Sequence, residues 1–301
     1  DAFQWGNNFV FGNQATSKGV ILNINWVNAE GETFFGNVVT GAGRITADNA
    51  KKEFSLNNVT TGGQIQGEQT ATQVVGNVVS SSSIIDNTGG TGGSISSNSL
   101  SSNSSLSVGT LAAGNISWNN IDSSGNLLAL LFNGLFIRGN DVTGGSLICS
   151  NGTGSVSNNY IGQDGILSAQ DTISNASTVK QNHVEGGASM RFDGNDGLMQ
   201  RNYAFGRDIS GTNISEIDMQ NCPIDVKVFA NTVTGGGKIF GDTLIAETEV
   251  TQNIVRNEGL LTISAPDGFC TIHKNTILNG GRISVNNILS GQVHENLLDN
   301  G

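Results

Sequence analysis

Asp141, Tyr160, His183 and Tyr203 each directly follow an asparagine, and steps of 19, 23 and 20 residues separate them. If each step is one turn of a repeating structure, these four side chains form a single outward file. Tyr and His are residue types that can exchange a proton with a bound substrate. The competing reading is a surface file of β-formers whose rings stack across strands. The same spacing places Arg191, Asp193, Arg207 and Asp208 beside this file, across the corner spelled EGGA at Glu185 to Ala188. Asp193 with Asp208 could supply the paired carboxylates of a hydrolase, which sit about 5–10 Å apart. The competing reading there is a solvated charge network. The candidate ligand-contacting set is therefore Asp141, Tyr160, His183, Tyr203, Arg191, Arg207 and Asp208. Candidates for chemistry are His183, Tyr203, Arg191 and Asp193, none of them assigned a catalytic role.

What must position these residues is a repeat. ANTVTGGGKI at Ala230 to Ile239 returns as KNTILNGGRI at Lys274 to Ile283. The shared template is Asn, any residue, an apolar residue, a small or glycine-rich turn, then another apolar residue. It fits Asn37, Asn58, Asn77, Asn98, Asn120, Asn140, Asn159, Asn182, Asn202, Asn231, Asn253, Asn275 and Asn296, at intervals close to 21 residues. Two places after each Asn stands a mostly aliphatic residue, such as Val39, Val142 and Val184; Thr60, Asp122 and Ala204 are exceptions. A second apolar beat follows (Ile45, Ile65, Leu106, Ile166, Met190, Ile239), and a third precedes the next Asn (Val74, Val156, Val179, Val250).

Three short apolar beats per period describe three short strands joined by turns, not a helical stripe. One period cannot bury its own apolar face, so successive periods must stack into parallel sheets. At a bend, the recurring Asn is expected to take the left-handed conformation and bond locally. Stacked in register, its amide would also bond the amides above and below. The paired glycines supply positive φ at another corner.

With this ladder of asparagines, residues 35–301 resemble the right-handed parallel β-helix, or pectin-lyase-like, superfamily. The resemblance implies an all-β, single-stranded right-handed solenoid of about 13 coils of about 21 residues. Members of the superfamily include pectate and alginate lyases, epimerases, galacturonases, bacterial adhesins and bacteriophage tailspikes. The Tyr–His neighbours resemble the acid/base residues of its alginate-active members. In pectate lyases the second sheet carries an Arg base and calcium-binding Asp residues, but no adjacent-turn trio of acids is visible in this sequence.

Composition bounds the rest. Gly 42, Pro 2 and only 13% charged residues argue against long helices. A net charge of -11 argues against nucleic acid as a partner, since its phosphates are anionic too. No apolar run is long enough to span a bilayer, the longest being LLALLF at Leu127 to Phe132. Cys149, Cys222 and Cys270 form no CxxC, so buried free thiols are expected, with no metal and no cofactor. NVT at Asn58 and NIS at Asn115 and Asn213 match the glycosylation pattern. Asn58, as a ladder position, would be a chance match.

Residues 1–34, rich in aromatics, are expected to be an irregular capping segment or a first coil. The step from Asn202 to Asn231 is long, which places an insertion around 206–228. The chain starts on Asp1 and closes on ENLLDNG without a polar cap, so more chain or another subunit is expected there.

Short, even corners favour a flat binding face over a reaction cleft. The leading expectation is a structural and receptor-binding segment of a phage tail fibre or tailspike. Its partner would be a bacterial surface polysaccharide or receptor, the assembly a homotrimer, and the location the virion or otherwise the cell surface. Two alternatives stand beside it: a lyase, hydrolase or epimerase acting on an acidic polysaccharide, and a secreted bacterial adhesin.

Overall fold

The computed structural model describes residues 9–299 except segments 17–19, 26–32, 49–52, 68–72, 88–93, 112–113, 133–135, 151–154, 171–177, 194–197, 206–215, 221–225, 243–247, 265–268 and 288–289. Every regular element among the described residues is a β-strand, and strand partners run parallel. The fold is a parallel β-solenoid in which each turn contributes one strand to each of three faces. It divides into two units, residues 1–136 with 144–150 and residues 137–143 with 151–301.

A turn in the first unit shows why the sequence repeats as it does. Glu53–Ser55 lies on the first face, Asn58–Thr60 on the second and Gln64–Gly67 on the third. Each pairs in register with strands of the adjacent turns, for example Val59 with Val39 and Val79. The middle residue of each short strand points inward, and Val39, Val59, Val79, Leu100 and Ile121 are fully buried. On the third face Ile65, Ile85, Leu106, Leu127 and Leu147 do the same. Burying one such side chain contributes about 1.5–3 kcal/mol, and alternation leaves its neighbours outside.

In the second unit the second face is built from Asp141–Thr143, Tyr160–Gly162, His183–Glu185, Tyr203–Phe205, Thr232–Thr234, Ile254–Arg256, Thr276–Leu278 and Leu297–Asp299. Val142, Ile161, Val184, Ala204, Val233 and Val255 point inward and are fully buried. Cys149 and Cys270 are buried free thiols, as their sequence context implies, and burial pushes the Cys270 thiol up to about 11. Cys222 lies outside the described residues.

The asparagine ladder runs between the first and second faces within each unit. In the second unit, Asn159 donates from both its backbone N (3.0 Å) and its Nδ2 (2.9 Å) to Asn182 Oδ1. Asn182 repeats this toward Asn202 at 3.1 and 3.0 Å. Its Nδ2 also donates to the Val156 carbonyl at 3.0 Å. The Asn182 amide thus accepts two hydrogen bonds and donates two, its full capacity, and is buried. The column continues through Asn231, Asn253, Asn275 and Asn296.

In the first unit the column differs from the sequence expectation at two places. It runs Asn13, Asn37, Asn57, Asn77, Asn98, Asn119. Asn58 and Asn120 are not members; both begin second-face strands and are exposed. Each belongs to an Asn-Asn pair, and burial of Val59 and Ile121 selects the first Asn of the pair. That shift removes Thr60 and Asp122 as exceptions, because Val59 and Ile121 occupy the inward positions instead. It also removes the reason for calling the Asn58 glycosylation match accidental. A similar one-place correction applies to Ile166, which is 42% exposed while Leu167 fills the core.

The left-handed residue at this corner is not the ladder asparagine but the one before it. Gly36, Leu56, Trp118, Arg201 and Lys274 have φ of 62°, 51°, 58°, 54° and 54°. The left-handed residue turns the chain, which leaves the next side chain aimed inward where its amide can stack. At the following corner a small residue lies against the neighbouring turn. A Cβ on Gly259 would stand 2.5 Å from the Val233 carbonyl oxygen.

Candidate functional site

The candidate file lies on the second face of the second unit. Backbone register places Asp141 beside Tyr160, Tyr160 beside His183, and His183 beside Tyr203. All four alternate with buried residues and therefore face outward. The rings form a continuous strip. Tyr160 and His183 have centroids 5.3 Å apart, tilted by 51°, and His183 and Tyr203 are 4.7 Å apart at 53°. Phe205, two residues along the same strand, stacks on Tyr203 at 6.1 Å. Such tilted pairs suit the ring quadrupole and hold the strip in place.

Glu185 ties the strip together and was absent from the sequence-based candidate set. Tyr160 Oη donates to Glu185 Oε1 at 2.6 Å, and His183 Nε2 lies 2.9 Å from Glu185 Oε2. Tyr160 reaches diagonally to the next turn by lying over Gly162, where a Cβ would stand 2.8 Å from its hydroxyl. Glycine at this position is thus what lets the phenol cross. In sequence the signal was present: Glu185 is the second outward residue of the strand that starts at His183.

Electrostatics at the strip oppose proton transfer by the tyrosine. The hydrogen bond to Glu185, then burial, then the charges of Glu185 and Asp141, push the Tyr160 phenol up to about 12. Glu185 is held below its usual carboxylate range, mainly by the Tyr160 hydroxyl and then by His183. The phenol stays protonated and the carboxylate stays ionised, so the pair presents a fixed acceptor rather than a poised acid and base. Asp141 is exposed at one end, and its Oδ1 accepts from Thr143 Oγ1 at 2.8 Å.

The second candidate group is placed less closely. Arg191 and Asp193 lie on the third-face strand Ser189–Asp193, where the backbone register sets Arg191 beside Asp218 and Asp193 beside Gln220. Arg207 and Asp208 lie outside the described residues, in the segment 206–215. That segment joins Tyr203–Phe205 to Glu216–Gln220, whereas three residues join Thr232–Thr234 to Lys238–Asp242.

Among the described residues, His273, His294 and Glu295 form a group whose donor atoms lie close enough to hold a cation. It occupies the first face and the adjoining corner, away from the strip in sequence and register.

No protein-family model matches the chain, and no curated protein matches it. Among solved structures it is similar to a TibC-catalysed hyper-glycosylated fragment of TibA spanning residues 55–350. That likeness has 14% identity, covers 96% of this chain and 99% of the other, and has a TM-score of 0.26.

Proposed function

We propose that this chain is an extracellular glycan-binding solenoid that grips a bacterial surface polysaccharide along the strip Tyr160–His183–Tyr203–Phe205. The finer architecture proposed with it is the right-handed, pectin-lyase-like form with about thirteen coils. The observation that carries the reading is the strip itself. Rings set in register on a flat sheet offer apolar platforms for the faces of sugar rings, and Glu185 and Asp141 offer acceptors for hydroxyls. Arg191, Arg207 and Asp208 are proposed as flanking ligand contacts.

Charge narrows the ligand class. The net charge of -11, with two carboxylates at the strip, repels an anionic polymer and favours a neutral or amino-sugar polysaccharide. The same charges speak against a lyase or hydrolase acting on acidic polysaccharide through His183 and Tyr203. Both remaining settings, a bacterial adhesin and a phage tail fibre or tailspike, place such a strip outside the cell. The tailspike setting requires a homotrimer, so a clean monomer at high concentration in sedimentation of the purified chain speaks against it.

The test is binding to a panel of immobilised neutral and acidic bacterial polysaccharides, with Tyr203→Ala beside the parent. Binding to a neutral polymer that weakens at least about tenfold in Tyr203→Ala supports the reading, since truncating a central aromatic contact costs more than about 1.4 kcal/mol. Equal binding by both, no binding to any polymer, or release of unsaturated product from an acidic polymer refutes it.

A further inference from the structure

We propose that His273, His294 and Glu295 form a zinc site that fastens two adjacent turns of the second unit, with Glu249 orienting the first ligand. His273 and His294 are register partners on neighbouring first-face strands, and their rings stack with centroids 5.1 Å apart at 26°. One ring nitrogen from each histidine and a Glu295 oxygen all lie within 4.8 Å of one another. His294 Nδ1 is 3.8 Å from Glu295 Oε1.

The tautomer of His273 gives the cluster its direction. Its Nε2 lies 2.9 Å from Glu249 Oε1, on the turn below. An ionised carboxylate only accepts, so Nε2 carries the hydrogen and, in the neutral ring, Nδ1 carries the lone pair. That Nδ1 is buried and has no hydrogen-bond partner. A buried acceptor without a partner costs about 1–3 kcal/mol, which a bound cation would recover. A carboxylate behind a ligating histidine is the arrangement that fixes ring orientation and raises basicity at metal centres.

Two imidazoles and a carboxylate are nitrogen and oxygen donors of the kind that hold zinc, at about 2.0–2.2 Å, with a fourth position left for water. Tetrahedral closure needs donors about 3.4 Å apart, so the group must contract. The side chains that must move are the exposed ones: His294 is 45% and Glu295 61% exposed, whereas His273 is 18% exposed. Lys274 Nζ, 3.8 Å from Glu295 Oε2, is the competing cation and is itself exposed.

The chain has three histidines, which makes the test clean. Calorimetric titration of metal-stripped protein with zinc chloride is expected to show one ion bound per chain, reversed by EDTA. His183→Ala binds as the parent does. His294→Ala, at an exposed position that folding does not require, weakens binding at least about tenfold, and Glu249→Gln weakens it about 10–100-fold without changing the stoichiometry. Zinc is also expected to raise the melting temperature of the parent and not of His294→Ala. Absence of zinc binding in the parent, unchanged affinity in His294→Ala, or loss of binding in His183→Ala overturns the proposal.

Discussion

Adjacent asparagines should differ sharply in their contribution to stability. Asn57→Ala removes the oxygen that accepts from Asn37 N at 3.1 Å and from Asn37 Nδ2 at 2.9 Å. It also removes the Nδ2 that donates to Asn77 Oδ1 at 3.0 Å. At least these three buried hydrogen bonds are lost, each worth about 1 kcal/mol net, and the two Asn37 donors left without this acceptor raise the total to about 3–5 kcal/mol. Asn58→Ala keeps the backbone bond from Asn58 N to the Asn37 carbonyl at 2.8 Å and alters only an exposed side chain. Its cost should lie within about 0.5 kcal/mol. The assay is urea unfolding of both variants, with hydrogen exchange to locate the loosened turns, because a solenoid can lose neighbouring turns without global unfolding. Asn119→Ala and Asn120→Ala repeat the comparison independently, since Asn98 donates to Asn119 Oδ1 at 3.1 and 2.9 Å. Equal costs within either pair, or a larger cost at Asn58 or Asn120, would refute the column as the stabilising device.

Gly259→Ala should destabilise by about 1–3 kcal/mol, because its Cβ would meet the Val233 carbonyl and Arg256 O at 3.0 Å, both backbone, and calorimetry against the parent checks this. Trp118→Val should lower stability by about 1–2 kcal/mol by forcing a β-branched residue to φ near 58°, whereas Trp118→Gly should not; denaturant midpoints of the two variants decide. The chain has two tyrosines, so phenolate absorbance during an alkaline titration resolves Tyr160. Gly162→Ala or Glu185→Gln should bring its ionisation down from about 12 toward the ordinary value of 10.0, and an unchanged titration would exclude the hydrogen bond as the cause. Glu185 carries a lowered pKa, so its contribution to stability is present above its unfolded value of 4.5 and lost as pH falls through the folded one. The stability difference between parent and Glu185→Gln should therefore be flat near neutral pH and shrink on acidification, which pH-dependent unfolding measures.

The repeat was legible because interior positions are under one constraint at every turn. An inward aliphatic residue two places after an asparagine recurs with little latitude, and the spacing alone placed Tyr160, His183 and Tyr203 in one file. Where the sequence offers two asparagines in a row, as at Asn57-Asn58 and Asn119-Asn120, the template fits either, and only the demand to bury Val59 and Ile121 chooses. Ile166 and Leu167 are ambiguous for the same reason: both are apolar, and a one-residue change of corner decides which faces inward. Glu185 and the His273–His294 pair lie on outward rows that the asparagine template does not mark. Both histidines stand two places before a ladder asparagine, in IHKN and VHEN, so the repeat did encode their proximity.

A solenoid separates what holds it together from what it can display. The ladder amides are saturated by each other and by first-face carbonyls, so their hydrogen bonding is complete without any outward side chain. Outward positions are then free to depart from the repeat, and the departures mark function. Elsewhere on the second face the outward residues include Val38, Thr40, Val78, Ser99, Thr232, Ile254 and Thr276, which fit a pleated surface. Between Asp141 and Phe205 they become two tyrosines, a histidine, a glutamate, a phenylalanine and one glycine, and these residues contact each other across turns. Gly162 is informative here, because a β-former would fit that strand better, yet a side chain there would displace the Tyr160 hydroxyl from Glu185. If the strip were only a stabilising stack, Gly162→Ala would displace the Tyr160 hydroxyl from Glu185 and lower stability while leaving polysaccharide binding unchanged. If the strip is a binding platform whose phenol must lie flat, Gly162→Ala should weaken binding with little change in the unfolding midpoint. Parallel measurement of both quantities on that one variant distinguishes the two.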